Sequence, residues 1–276
     1  MRLVVIWVDE AKGTDNSSPP PGGNLAWPHR GQPLRSRAPV RDLLLSVVIP
    51  FFNEGESCVA LLKELRETLD TLPGPCEVLA VDDGSTDQTL SLLRQTAAQW
   101  PALKIVALKG NHGQAAALYT GMRTARGPVV VTMDGDGQNV PADIPLLLSR
   151  MHEADVVAGV RGKRRDSWVR IGMSRLANGI RNRILADGMS DSGCALKAFR
   201  REVVNAFLPM RTLYSFMPAL AVAAGFKVVE QVVQHRERKA GVSKYGLLVM
   251  LWRPALDMVG MWWWRHRRFA LPEVQD

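Results

Sequence analysis

From residue 43 onward the apolar positions alternate between two textures. The first is a short apolar run, seen in LLLSVVIP at 43–50, EVLAV at 77–81, KIVAL at 104–108 and PVVVTMD at 128–134. The second is a helical spacing, seen in Leu61, Leu62, Leu65, Leu69 and Leu72. Runs of this length between polar turns predict buried strands, and the intervening periodicity predicts amphipathic helices. A second helix is expected after Ser85, which with Gln88 three residues on forms a capping box, and a third from about Gln114 to Ala125. Strands and helices in alternation predict an α/β fold, a doubly wound and mostly parallel sheet covered on both faces.

The flanks read differently. Residues 9–42 carry SSPPPGG and PHRGQPLRSRAP, with too much proline and glycine and too little apolar period for a packed element. The expected organisation is a disordered leader at 1–42, a catalytic domain at 43–242 and an amphipathic segment at 243–276. The apolar run from Leu3 to Val8 is shorter than a signal-peptide core and runs into Asp9 and Glu10, so secretion is not expected. Tyr245 to Trp264 is interrupted by Arg253 and Asp257, short of the roughly 18 uncharged apolar residues of a spanning helix. Arg253-Pro254 is expected to break or bend it. Trp252 and Trp262 to Trp264 beside Arg253, Arg265, Arg267 and Arg268 suit an interfacial anchor on anionic lipid; a core helix with a basic end is the plainer alternative.

Composition narrows the partner. In 276 residues, 46% hydrophobic and 22% charged, Lys and Arg number 35 against 27 Asp and Glu, a net charge of +8 that favours an anionic partner. Cys58, Cys76 and Cys194 are too scattered for a disulfide framework or a zinc site, so a reducing compartment is expected. Residues 161–183 hold eight Lys or Arg and one acid, Asp166. A solubilising face would mix signs, and RNA binding would call for interleaved aromatics beyond Trp168, so nucleic acid is not the expected partner.

In such sheets ligands bind at the carboxyl ends of the strands, and three of those ends carry PFFNEGE, DDGSTD and DGDGQN. No G-x-G-x-x-G follows the first strand, and no P-loop or G-x-S-x-G elbow occurs, which disfavours dinucleotide, P-loop and α/β-hydrolase readings. Carboxylate chemistry remains. Asp134 and Asp136, flanked by Gly135 and Gly137 and joined by the neutral oxygen of Gln138, form an oxygen-only set suited to Mg²⁺ or Mn²⁺ shared with a diphosphate. A solvated acidic turn is the plainer reading of the same residues. Ser85 and Asp87 fit a helix start, whereas Asp82 and Asp83 do not, and suggest acceptors for a base or ribose.

SVVIPFFNEGES, VDDGSTDQT and MDGDGQNVP resemble the nucleotide-sugar half of inverting family 2 glycosyltransferases with the GT-A fold. VAGVRGKRRDSWVRIGMSRLANGIRNRIL, SDSGCALKAFRREV and QHRERKAGVSKYG are similar to the polyprenyl-phosphate glycosyltransferases, the group that includes dolichyl-phosphate mannose synthase and undecaprenyl-phosphate relatives. The resemblance covers roughly residues 44–250. It implies that Pro50, Phe52 and Glu54, with Asp82 and Asp83, hold the nucleoside, and that Asp134, Asp136 and Gln138 hold the metal and donor diphosphate. It further implies that Arg161, Arg170 and Ser174 bind the acceptor phosphate, that Arg238, Ser243 and Lys244 lie in a loop closing on the donor, and that Asp191 opens a block at the rim. Catalysis is expected to depend on Asp134, Asp136, Arg161 and Asp191.

Relatives with spanning helices after the SKY block imply a membrane setting. Here attachment is expected to be peripheral, at the cytoplasmic face, or provided by an anchoring partner or homo-oligomer. The Q-x-x-R-W signature of processive synthases is absent, which disfavours polymer synthesis. A phosphate acceptor also removes the need for a general base, because it arrives largely as a dianion at neutral pH, with a second pKa of about 6. A GT-A enzyme acting on a hydroxyl, and a non-catalytic nucleotide-sugar or anion-binding module, are the other readings the sequence leaves open.

Overall fold

A computed structural model describes residues 43–162, 179, 181–236 and 247–267. The leader, most of the basic 161–183 stretch, and Arg170, Ser174, Arg238, Ser243 and Lys244 lie outside the described residues.

Seven strands form one sheet: β1 (Leu45–Phe51), β2 (Cys76–Asp82), β3 (Leu103–Ala107), β4 (Val129–Thr132), β5 (Val156–Arg161), β6 (Lys197–Arg200) and β7 (Val228–Val233), in the order β3-β2-β1-β4-β6-β5-β7. β1 pairs in parallel with both β2 and β4, and β2 with β3. β6 is antiparallel to its two neighbours, and β5 and β7 are again parallel. The chain winds from β1 outward through β2 and β3, then returns across β1 to β4. The ends of β1, β2 and β4 therefore open onto one crevice, the usual place for a ligand in such sheets.

The described helices are α1 (Cys58–Leu69), α2 (Thr89–Gln99), α3 (Gln114–Thr124), α4 (Ile144–Ser149), α5 (Leu213–Ala223) and α6 (Leu247–Arg267), with a further helical stretch at residues 181–185 and 3-10 turns at Pro141–Asp143 and Arg201–Ala206. The expected α/β architecture is the one observed. Leu45, Val47, Ile49 and Phe51 of β1 face a core with Leu61, Leu62, Leu65 and Leu69 of α1, while Val48 faces a second core with Leu118 and Met122 of α3 and Phe216 and Leu220 of α5. Burial on both faces is why the strands read as continuous apolar runs rather than as alternation.

Two expectations are corrected. Ser85 does not cap α2, which starts at Thr89; the Thr89 amide donates to the Asp87 carboxylate at 2.9 Å, and the Ser85 hydroxyl accepts from the Asn53 amide at 3.0 Å. A capping box is a local pattern, and here a contact to the neighbouring loop takes its hydroxyl. Nor does Arg253-Pro254 give the break expected there as the alternative to a bend, since α6 runs through it for 21 residues. Proline removes a single backbone donor, and beyond it Met261 is buried, Met258 and Trp264 pack on the second core, and Asp257 accepts a hydrogen bond from the Thr212 hydroxyl. Tertiary docking sustains the helix past the proline. Among the described residues no helix is long and apolar enough to cross a membrane.

Candidate active site

The loops after β1 and β2 are stitched to one another. Asn53, held at φ 55°, accepts the Thr86 amide on its side-chain oxygen at 2.8 Å. The next two amides, of Glu54 and Gly55, donate to Thr89 and Asp87 at 2.8 and 3.1 Å. With the Asn53 amide on the Ser85 hydroxyl, four polar contacts fix the strand-end loop that carries Phe52 and Glu54 to the one that carries Asp83, while Pro50 is still within β1. The Ser57 hydroxyl reaches both Glu54 (3.0 Å) and the carbonyl of Gly135 (3.2 Å), which ties the same loop to the D-G-D turn.

Asp82 and Asp83 have separate tasks. Both oxygens of Asp83 accept consecutive backbone amides, His112 and Gly113, each at 2.8 Å. Burial raises the Asp83 pKa against the pull of those two amides. Asp83 thereby holds the loop into α3. Asp82, buried at the end of β2, accepts the Ser85 amide on Oδ2 at 3.2 Å, and its Oδ1 has no hydrogen-bond partner among the described residues. An unpaired buried carboxylate oxygen at a strand end is costly unless a ligand donor meets it.

The D-G-D-G turn follows β4. A side chain at Gly135 would place its Cβ 2.6 Å from the Phe51 ring and 2.7 Å from the Pro50 carbonyl, so only glycine lets the turn lie against β1. Gly137 supplies a φ of 75°. Asp134 takes the Gln114 amide on Oδ1 at 2.6 Å, and Asp136 takes the Gln138 backbone amide on Oδ1 at 3.1 Å. Each carboxylate spends one oxygen inside the protein. Burial first, then repulsion from Asp136, pushes the Asp134 pKa up to about 6, with Lys197, Gln114 and Arg161 pulling it back.

Such a pair could hold a cation only with ligands supplied from outside the protein. Among the described residues no three His, Cys, Asp or Glu side chains gather around one point. Two mutually repelling carboxylates suit a hard divalent cation that takes its remaining ligands from water and a diphosphate, the usual arrangement for Mg²⁺. Gln138 also has a backbone role. Its carbonyl accepts the Arg236 amide at 2.9 Å, and Asn139 bridges to His235, so Gln138 joins the D-G-D turn to the segment leading into Arg238.

On the other side of the sheet's centre, Arg161 ends β5 and meets Asp191 through two parallel hydrogen bonds of 2.7 Å, the forked geometry that guanidinium and carboxylate favour. Beneath them Lys197 is fully buried. Its ammonium donates to the carbonyls of Ser192 (3.4 Å), Cys194 and Tyr214 (3.2 Å). Burial pushes its pKa down, opposed by Cys194, Asp134 and Asp191. The motif residues did not point to Gln114, Asn53 or Lys197. A single lysine within the apolar strand ALKAF was the available signal for the last.

Residues 46–208 match the model of glycosyl transferase family 2. The chain belongs to that family. It is 40% identical over 210 residues to the undecaprenyl-phosphate 4-deoxy-4-formamido-L-arabinose transferase of Edwardsiella ictaluri, an alignment covering 75% of this chain and 64% of that one. It is 38% identical over 237 residues to the dodecaprenyl-phosphate galacturonate synthase of Rhizobium johnstonii, covering 83% and 70%. The chain thus spans 64% of the length of the first of these relatives. Among solved structures, the mannosyltransferase PcManGT from Pyrobaculum calidifontis in complex with GDP-Man and Mn²⁺ superposes with a TM-score of 0.60 at 23% identity, over 85% of this chain and 67% of that one. The glucosyl-3-phosphoglycerate synthase of Mycobacterium tuberculosis gives 0.59 at 16% identity, over 81% and 80%. The family 2 glycosyltransferase is thus built on the expected GT-A fold.

Proposed function

We propose that this family 2 glycosyltransferase moves a sugar from a UDP- or GDP-sugar to a polyprenyl phosphate, with inversion and with Mg²⁺ or Mn²⁺, at the cytoplasmic face of a membrane. The observation that carries the reading is one crevice with two kinds of wall. The Asp134 and Asp136 carboxylates follow β4, and the Arg161–Asp191 fork stands at the end of β5, with the Lys197 ammonium buried behind it. Carboxylates suit a cation-bound diphosphate, and a cationic wall suits a second anion. Both named relatives are transferases or synthases of polyprenyl-phosphate sugars.

In this assignment Asp82 offers Oδ1 to a nucleoside N–H or hydroxyl, and Pro50, Phe52, Glu54 and Asp83 build the surrounding pocket. Asp134 and Asp136 hold the cation, which when bound offsets the charge gathering on the leaving diphosphate. Gln138 links that turn to the segment bearing Arg238, Ser243 and Lys244, which cover the donor. Arg161, Arg170 and Ser174 orient the acceptor phosphate. An oxygen of the phosphate dianion attacks the anomeric carbon as the bond from that carbon to the diphosphate oxygen breaks, and the bonding pair leaves with the nucleoside diphosphate. No proton is transferred, so the residues serve to orient two anions and screen their repulsion.

The last helix supplies the membrane contact. Opposite its docked face, Leu256, Val259, Trp262 and Trp263 are exposed, and Arg267 lies further along. A tryptophan-rich face ending in basic residues suits shallow burial among anionic headgroups. The deciding experiment follows nucleoside diphosphate release with UDP- and GDP-sugars, with and without Mn²⁺, against a prenyl phosphate, a hydroxyl acceptor and no acceptor. Release that requires both the metal and the prenyl phosphate is expected. Release with the hydroxyl acceptor, or donor binding without release in any arm, would replace the reading by one of the other two.

A further inference from the structure

An ionised lysine removed from water is unfavourable unless something specific holds it. Lys197 has no exposed surface, and among the described residues no carboxylate lies within ion-pair distance of its ammonium. What it holds are three carbonyl oxygens from two places. Ser192 and Cys194 belong to the turn that begins at Asp191, and Tyr214 belongs to α5. The same turn presses on the arginine it serves: a Cβ at Gly193 would lie 2.9 Å from an Arg161 guanidinium nitrogen. In register, Lys197 stands opposite Thr132, two residues before Asp134, and the Thr132 hydroxyl donates to the Ala195 carbonyl at 2.8 Å.

We propose that Lys197 is a positioning residue for the acceptor side of the site, gathering the turn 191–194 and the start of α5 around one ammonium so that Asp191 presents Arg161 to the acceptor phosphate. The inference rests on the proposed transferase reading for its substrate. Its structural half does not, and the two are tested apart. Lys197 touches no substrate; it acts through the Asp191–Arg161 fork, and the positive charge it keeps beneath the fork lies where two anions approach each other.

The test uses the full chain and Lys197→Met, which keeps the length and loses charge and donors, beside Lys197→Arg, which keeps both. Amide exchange at residues 190–195 reads the turn without any substrate, with β1 and β4 as internal reference. It should rise at least about tenfold in the methionine variant and stay near wild type in the arginine variant. With prenyl phosphate the methionine variant should raise the acceptor KM about tenfold or more, while donor affinity in the presence of Mn²⁺ stays within about twofold. Unchanged exchange in the turn, equal losses on the donor and acceptor sides, or an arginine variant no better than methionine would overturn the role. Should the methionine variant not fold, Lys197→Gln is judged by the same readings, and its failure to fold as well would make Lys197 a purely structural residue. If the wild-type chain does not use prenyl phosphate, the transferase reading falls, and the exchange result still decides what Lys197 holds.

Discussion

The two halves of the crevice achieve order by different means. On the donor side, carboxylates are positioned by backbone amides: Asp83 by the consecutive amides of His112 and Gly113, Asp136 by the amide of Gln138, and Asp87 by those of Thr89 and Gly55. On the acceptor side, the charged groups are held by an opposite charge or by carbonyls, Arg161 by the Asp191 carboxylate and Lys197 by the carbonyls of Ser192, Cys194 and Tyr214. The first arrangement depends on the loops after β1, β2 and β3 meeting at the strand ends. The second stands or falls with the packing of β5, β6 and α5.

If the donor side is a cation site, its removal should have the largest effect. Asp136→Asn is expected to lower turnover by at least about a thousandfold with the fold retained, because the carboxamide cannot replace the charge on a bound cation. Circular dichroism and Mn²⁺-dependent donor binding measured on the same preparation check this, and near-normal turnover would remove the metal assignment. Next comes the fork. Arg161→Lys keeps the charge and loses the paired geometry, so the acceptor kcat/KM should fall roughly ten- to a hundredfold while donor affinity holds. A loss on the donor side instead would erase the division between the halves. Arg170→Ala should show the same one-sided pattern on acceptor KM.

The donor side should also reveal a cost to stability. Asp134 has its pKa raised to about 6 in the folded protein, above the usual carboxylate range, so the folded state binds the proton more tightly than the unfolded state does. Its contribution is therefore most favourable at low pH and is lost as pH rises through about 6. Asp134→Asn should stabilise the metal-free protein at pH 7 by on the order of 2 kcal/mol, a gain that vanishes near pH 4, while turnover collapses. Unfolding in urea at the two pH values measures it; equal effects at both would deny the raised pKa. The smallest effect on the fold is expected in α6. Trp262→Ser with Trp263→Ser should change stability by no more than about 0.5 kcal/mol, because both rings are exposed, yet weaken binding to anionic vesicles in a salt-dependent way. Unchanged vesicle binding would take the membrane contact away from this face.

Legibility followed separation along the chain. The strands, α1 and α3 were readable because apolar residues at periods tied to helix and strand geometry must be buried somewhere, and the strand-end carboxylates were readable because strand ends in this architecture converge. Ser85 was misread because a capping pattern is judged over four residues, while its hydroxyl is claimed from Asn53, which lies 32 residues away. A break at Pro254 was wrongly expected because local propensity was set against docking energy that only appears once Met261 has a core to enter.

The sequence by itself determined the order of elements, the doubly covered sheet and the three polar strand ends, since each depends on residues close together in the chain. Only the tertiary structure decided that Asp83 serves a loop while Asp82 keeps an oxygen open, that Arg161 is forked to Asp191, and that a lysine lies buried beneath them. Those are meetings between segments distant in sequence. Their energy depends on burial, distance and the competition for each hydrogen bond, and none of these is defined until the chain has closed around them.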